Sequence, residues 1–292
     1  MQTALILCRF VHFAAVLLLF GSCLFRTGFF RVQLKTVDTA ALDTKLTWCA
    51  RALIPLALVS GVLLLVFIAA SMAGSWQEGF DPNTLALVLK QTFFGKVWSV
   101  HLLLNALLLV GVVSPRRSSP TLRLILAALL LATLAPVGHG AMFDGTLGEL
   151  MILNQLVHLY GVGAWLGGLL LLSLLMVNSA PANHVLPLLL RFSGVGYGLV
   201  ALIITTGLIN VRVMSGALWP EPALSGFGLI LLIKVCLVLC MLLLALFNRL
   251  LLNHHAQQFN VLRTSIAVEC LFGLLAVAAV SLLGTLPPML AT

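Results

Sequence analysis

The chain has 292 residues, of which 61% are hydrophobic and only 8% are charged. Soluble domains carry about 25% charged residues, so a soluble fold cannot hide this much apolar surface and lipid must be the surrounding solvent. The formal net charge of +8 would suggest a nucleic-acid partner in a soluble protein. Here we expect no nucleic acid, because Lys and Arg gather in particular loops, where they orient a protein in the bilayer.

Eight apolar segments approach the length of roughly 20 residues that a helix needs to cross the hydrocarbon layer. In chain order these predicted spans are 4–25, 50–71, 97–113, 122–139, 151–177, 192–214, 225–247 and 265–286. Residues 84–95 are partly apolar but too short to span, which favours a helix lying on the membrane surface. We therefore predict an all-α polytopic membrane protein that forms a single transmembrane domain over residues 1–292.

The loop charges predict the orientation of these spans. The loops after the first and third spans are rich in Lys and Arg, and those after the fifth and seventh also carry Arg. The intervening loops are poor in basic residues, although Lys90 and Lys96 depart from the pattern. Since basic loops stay in the cytoplasm, we expect both termini to be periplasmic and the chain to lie in a bacterial inner membrane.

Four of the seven histidines fall in the outer half of four different predicted spans: His12, His101, His139 and His158. Imidazole is a ligand for copper, zinc, iron and nickel, and ionisable residues inside a membrane mark functional sites. The alternative is that each histidine only hydrogen-bonds a neighbouring helix. Met142 follows His139 by three residues, and its thioether would favour Cu(I), although methionine is also ordinary core filler.

Two charged residues, Lys234 and Glu269, lie inside the seventh and eighth spans. Consecutive helices are usually neighbours, so the two can form a structural ion pair, or they can be steps in an ion or proton path. Arg9 precedes His12 by three residues on the same helical face and could keep that imidazole neutral, as metal binding requires. Trp165 lies among four glycines that predict a central, closely packed fifth span.

Short segments spread along most of the chain carry a family resemblance. They are Arg9-Phe10-Val11-His12-Phe13, Phe94-Gly95-Lys96-Val97-Trp98, Gly138-His139-Gly140, His158-Leu159, Ala164-Trp165-Leu166-Gly167-Gly168, Arg191-Phe192-Ser193, Gly207-Leu208-Ile209-Asn210, Lys234, Asn248-Arg249 and Glu269. Each segment is weakly specific, but their order and spacing together resemble the CopD/PcoD copper-resistance membrane protein family.

This resemblance implies a protein of copper homeostasis in the inner membrane, which binds copper as Cu(I) or Cu(II). It also implies a periplasmic copper-binding partner of the CopC type, which is fused to the chain in some members and would be a separate protein here. We expect His12, His139 and His158 to be the main copper ligands and His101 and Met142 to be lesser ones. Side chains expected to support these ligands are Arg9, Trp165 and Asn210.

The leading hypothesis is a transporter that accepts copper on the outer side and passes it inward. The membrane potential favours inward movement of a cation by about 2.3 kcal/mol per charge per 100 mV. Because no Gly-x-x-x-x-Gly-Lys-Ser/Thr motif occurs, we expect no ATPase and no enzyme activity. A second hypothesis is an electron carrier with haem b held by His12 and His158, or by His101 and His139. A third is a membrane scaffold for a periplasmic partner.

Overall fold

A computed structural model describes residues 1–29, 39–114, 119–138, 143–177, 182–217, 219–253 and 259–286. Within these ranges the chain is helical and contains no β-strand, which confirms the predicted all-α fold. The helices are α1 Gln2–Leu24, α2 Thr39–Ala73, α3 Pro82–Gln91, α4 Phe93–Val113, α5 Pro120–Ala132, α6 Gly145–Val177, α7 Ala182–Ser215, α8 Gly226–Asn253 and α9 Phe259–Leu283. A π-helical turn, Phe25–Phe29, extends α1.

Seven of the helices are long and apolar enough to cross a membrane, namely α1, α2, α4 and α6–α9. The eighth predicted span is a shorter apolar helix, since α5 has 13 residues and covers about 20 Å at 1.5 Å per residue. Its predicted end at residue 139 is wrong, because the helix ends at Ala132 and tight turns follow. Pro136 explains this end, since proline cannot donate the next helical hydrogen bond and restricts the residue before it.

A short helix, α3, occurs where a surface helix was predicted, and it ends at Gln91, earlier than the predicted residue 95. Asp81 begins α3 by accepting the backbone N–H of Thr84 at 2.8 Å. Thr92 then separates α3 from α4, because its hydroxyl accepts the backbone N–H of Gly95 at 2.8 Å. Such side-chain caps satisfy the free N–H groups of a first helical turn. Residues 93–95 therefore belong to the spanning helix α4.

Helices α1 and α6 form the centre of the bundle. Helix α1 packs against α2, α5, α6 and α9, and α6 also packs against α7 and α9. At their crossing, a Cβ atom added to Gly21 would overlap the carbonyl oxygen of Gly163, and one added to Gly167 would overlap the backbone of Gly21. Glycine thus permits direct backbone contact between α1 and α6, in agreement with the predicted central position of the glycine-rich span.

The beginning of α1 and the end of α9 lie at the same end of the bundle. Arg9 Nη1 donates a hydrogen bond of 2.9 Å to the carbonyl oxygen of Gly284, which directly follows α9. We call this end the outer end, because the loop charges predict that it faces the periplasm. The opposite end, where α1 finishes and α9 begins, is called the inner end.

Candidate metal centre

His12 of α1 and His101 of α4 lie side by side in the outer half of the bundle, close to the middle of their helices. Both side chains are fully buried, and their ring centroids are 4.9 Å apart. Trp98, one turn before His101, stacks on the His101 ring with 4.5 Å between the centroids. Two histidines that are distant in the sequence are therefore brought together in an apolar part of the bundle.

A hydroxyl group from α2 orients the His12 ring. His12 Nδ1 lies 3.0 Å from Ser60 Oγ, and Ser60 donates its own hydroxyl proton to the carbonyl oxygen of Leu56 at 2.6 Å. Because a hydroxyl has one proton, the oxygen of Ser60 must accept from the imidazole. This network assigns the proton of neutral His12 to Nδ1 and leaves the lone pair on Nε2.

The same arrangement recurs at His101. Its Nδ1 lies 2.6 Å from Thr133 Oγ1, which donates to the carbonyl oxygen of Leu130 at 2.6 Å. The Nε2 atoms of His12 and His101 are both buried without a hydrogen-bond partner. Leaving a buried acceptor unpaired costs about 1–3 kcal/mol, so two such atoms on neighbouring rings point to a shared ligand. A metal that imidazole favours, copper among them, is such a ligand.

His158 of α6 has the same local geometry but a different location. Its Nδ1 lies 2.8 Å from Thr206 Oγ1, and Thr206 donates to the carbonyl oxygen of Leu202 at 2.6 Å. The ring lines a cavity that also contains Arg9, Asn210 and Lys234, whereas His12 and His101 do not line it. His158 therefore stands apart from the histidine pair.

The structure groups the predicted ligands differently from the sequence. It pairs His12 with His101, which was expected to be a lesser ligand, and not with His158. Helix α1 is central, so Arg9 and Phe13 face the cavity while His12 faces α2 and α4. The other two predicted ligands, His139 and Met142, lie outside the described residues. The side chains that the structure describes contain no group of three or more His, Cys, Asp or Glu suited to a metal ion.

The positioning residues Ser60, Thr133 and Trp98 were not predicted as parts of the site. Hydroxyl side chains within apolar spans were the available signal, since Ser60 stands in the middle of the second span. Such hydroxyls often bond only their own helix. Their relation to the histidines depends on how the helices are rotated against each other, which the sequence pattern does not specify.

The predicted ion pair between Lys234 and Glu269 is absent from the described residues. Glu269 Oε2 accepts a hydrogen bond of 3.1 Å from Asn248 Nδ2, and Oε1 has no partner. Lys234 lies 14 residues before Asn248 on α8, which is about 21 Å along the helix axis. Because α8 and α9 are antiparallel, Glu269 lies beside the inner half of α8, whereas Lys234 lies in the cavity with His158.

Asn210 and Trp165, the two other residues expected to support the copper ligands, line the same cavity as His158. Asn210 donates to Gln155 Oε1 at 2.9 Å and accepts from Asn154 Nδ2 at 2.9 Å, so this amide network joins α7 to α6. Trp165 lines the same cavity, and its indole nitrogen is buried without a partner. Neither residue contributes to the His12–His101 pair. The haem hypothesis gains no support, since His12 and His158 have different neighbours.

Comparison with known proteins assigns the family. The family model "Copper resistance protein D-like, N-terminal domain" matches residues 1–149, and the model "Copper resistance protein D" matches residues 186–283. The chain is 27% identical to inner membrane protein YebZ of Escherichia coli (strain K12), over 96% of this chain and 97% of the relative. It is 29% identical to copper resistance protein D of Pseudomonas syringae pv. tomato, over 96% of this chain and 95% of the relative. No solved structure matches the chain.

The two family models cover α1–α5 and most of α7–α9, including both histidines of the pair, and leave most of α6 outside. The family and the relatives associate the chain with copper resistance and with the inner membrane, and its apolar helices fit a multi-pass protein. The chain is therefore a multi-pass inner-membrane protein that belongs to the copper resistance protein D family.

Proposed function

We propose that this protein binds copper between His12 and His101 and moves it across the inner membrane. The observation that carries this proposal is the pair of buried, unpartnered Nε2 atoms on adjacent rings. Ser60 and Thr133 hold both imidazoles in the tautomer that exposes the Nε2 lone pair. Family membership supports copper as the metal.

Two neutral imidazoles are a small ligand set, which suits transport because a carrier must release its cargo as well as bind it. Imidazole is a ligand for either copper oxidation state. His139 and Met142 remain proposed additional ligands, and a thioether among them would shift the preference toward Cu(I). The membrane potential then favours passage from the outer to the inner end, by about 2.3 kcal/mol per charge per 100 mV.

A periplasmic copper-binding protein of the CopC type is the proposed donor. The outer end is the natural place for delivery, because both histidines lie in the outer half of their helices, His12 ten residues after the start of α1 and His101 eight residues after the start of α4. Delivery by a partner would let the membrane protein work without a high-affinity site of its own.

Copper stoichiometry on purified variants tests the proposal. We expect His12→Ala and His101→Ala each to abolish most copper binding, because each removes one of the two paired ligands. His158→Ala should retain copper, since His158 lies apart from the pair. His184→Ala is a matched control, because this histidine lies in the first turn of α7, at the inner end of the bundle.

Two results would overturn the proposal. The first is normal copper in both His12→Ala and His101→Ala, which would place copper elsewhere. The second is full copper tolerance of cells that carry only the double variant, which would favour a scaffold function. Size-exclusion profiles of each variant separate loss of the site from loss of the fold.

A further inference from the structure

A cavity of about 230 Å³ lies beside α1 and is lined by Arg9, Phe13 and Leu17 of that helix but not by His12 or His101. Helices α6, α7, α8 and α9 complete its wall, and most of the lining is aliphatic. By the same measure one water molecule needs roughly 10–15 Å³, so the space can hold a ligand much larger than water. The described lining residues include two basic side chains, Arg9 and Lys234, and no Asp or Glu.

Within the part of the chain that the structure describes, no acidic side chain pairs with either basic group. Arg9 donates to the carbonyl oxygen of Gly284, which satisfies one N–H group but supplies no negative charge. Lys234 forms no hydrogen bond or ion pair with any described residue, although it lies eight residues inside α8. Charges within a membrane are costly unless they are paired. The cavity therefore complements an anion and disfavours a free copper cation.

The cavity also has an open side toward the surrounding lipid. Ile204 of α7 lines the cavity, is 41% exposed and stands near the middle of a helix that is long and apolar enough to cross the membrane. A ligand that enters here comes from the bilayer and must have an apolar part that matches the aliphatic wall. These features together select a molecule with a negative head group and a hydrocarbon portion.

We propose that this cavity binds an anionic lipid, whose phosphate or carboxylate group contacts Lys234 and Arg9 and whose hydrocarbon part lies against α7 and α8. The site is separate from the copper pair and does not depend on the proposed transport. His158, with its proton on Nδ1, presents an Nε2 lone pair to the same cavity and can accept a hydrogen bond from a protonated head group.

Native mass spectrometry of the purified full chain tests this site, with phosphatidylglycerol and phosphatidylcholine of identical acyl chains as probes. We expect the wild type to retain phosphatidylglycerol selectively. Lys234→Gln should weaken this binding roughly tenfold or more, which corresponds to one charge-assisted hydrogen bond. Lys234→Arg should preserve phosphatidylglycerol binding. A folded Lys234→Arg protein also shows that position 234 tolerates substitution. Lys90→Gln, at an exposed position of α3, is the matched control.

Inorganic phosphate is the third probe, because it distinguishes a lipid from a soluble anion. Equal retention of the two lipids would overturn the proposal, as would wild-type retention of phosphatidylglycerol by Lys234→Gln. Tight binding of phosphate without selective lipid binding would also overturn it, since the ligand would then be a free anion. Phosphatidylglycerol that is retained in excess phosphate supports the lipid site.

Discussion

The indole ring of Trp98 stacks on the imidazole of His101, with 4.5 Å between centroids and 11° between planes. The indole N–H is donated to the carbonyl oxygen of Gly61 at 2.9 Å, so Trp98 links α4 to α2 directly beside the histidine pair. Trp98 therefore fixes the position of His101 relative to α2, and α2 also carries Ser60, which orients His12.

Replacing Trp98 with Phe should preserve an aromatic ring but remove the hydrogen bond. The Gly61 carbonyl would then be buried without this donor, and we expect a loss of about 1–3 kcal/mol in the free energy of unfolding. Thermal unfolding of the purified protein measures the effect. Trp48→Phe is the control, because Trp48 is 72% exposed, and an equal loss in that variant would contradict the assignment.

Removal of the hydroxyl groups should weaken copper binding without removing a ligand. In Ser60→Ala and Thr133→Ala, the imidazole Nδ1–H loses its acceptor, and the orientation of the ring is no longer fixed. Loss of such partners typically lowers metal affinity about 10–100-fold, and we expect an effect of this size in copper titrations. Ser99→Ala is the control, since Ser99 of α4 bonds only the Gly95 carbonyl of its own helix. Unchanged affinity in Ser60→Ala would show that the hydroxyl does not position His12.

The sequence predicted the helices well, because apolar segments depend on local composition, and the same composition singled out the candidate histidines, whose role as ligands stays a prediction. Runs of apolar residues are recognisable without knowledge of the fold, and an imidazole in such a run is unusual wherever it lies. The length of α5 was missed because residues 133–139 remain mostly apolar after the helix ends at Ala132.

The grouping of the histidines could not be predicted in the same way. His12 and His158 occupy similar depths, but whether they meet depends on which face of the central helix α1 each neighbour covers. A similar reason explains why the predicted pairing of Lys234 with Glu269 is wrong, although their helices are neighbours. Their separation along α8 and α9 follows from the vertical register of the two helices, which the structure supplies through the Asn248–Glu269 hydrogen bond.

Reporter fusions test the predicted orientation of the chain, in which the outer end of the bundle faces the periplasm. We expect a cytoplasmic signal at positions predicted to lie near the inner end, namely Pro115, Asn183 and Asn253. A periplasmic signal is expected at Asn83, Asp144 and Glu221. The physical reason is the alternation of basic loops. A periplasmic signal at Pro115 would reverse the orientation and would place the histidine pair on the cytoplasmic side.

A double-mutant cycle tests the separation of Lys234 and Glu269. Effects of distant substitutions usually add to within about 0.3–0.5 kcal/mol, so the destabilisation of Lys234→Gln plus Glu269→Gln should equal that of the double variant. Chemical or thermal unfolding of the four proteins in one detergent provides the measurement. A double variant that is clearly more stable than this sum would indicate a direct ion pair between the two side chains.

The last prediction concerns the contact between the backbones of α1 and α6. A methyl group at Gly167 would overlap the backbone of Gly21, and neither backbone can move aside as a flexible side chain would. Gly167→Ala should therefore force the two helices apart and destabilise the protein by about 1–3 kcal/mol, the usual range for overpacking. Gly198→Ala in α7 is the matched control, because nothing lies within 4 Å of the added methyl group, and alanine favours helix over glycine by about 1 kcal/mol. The two variants should thus shift the melting temperature in opposite directions. Equal melting temperatures would contradict the direct backbone contact that makes α1 and α6 the centre of this bundle.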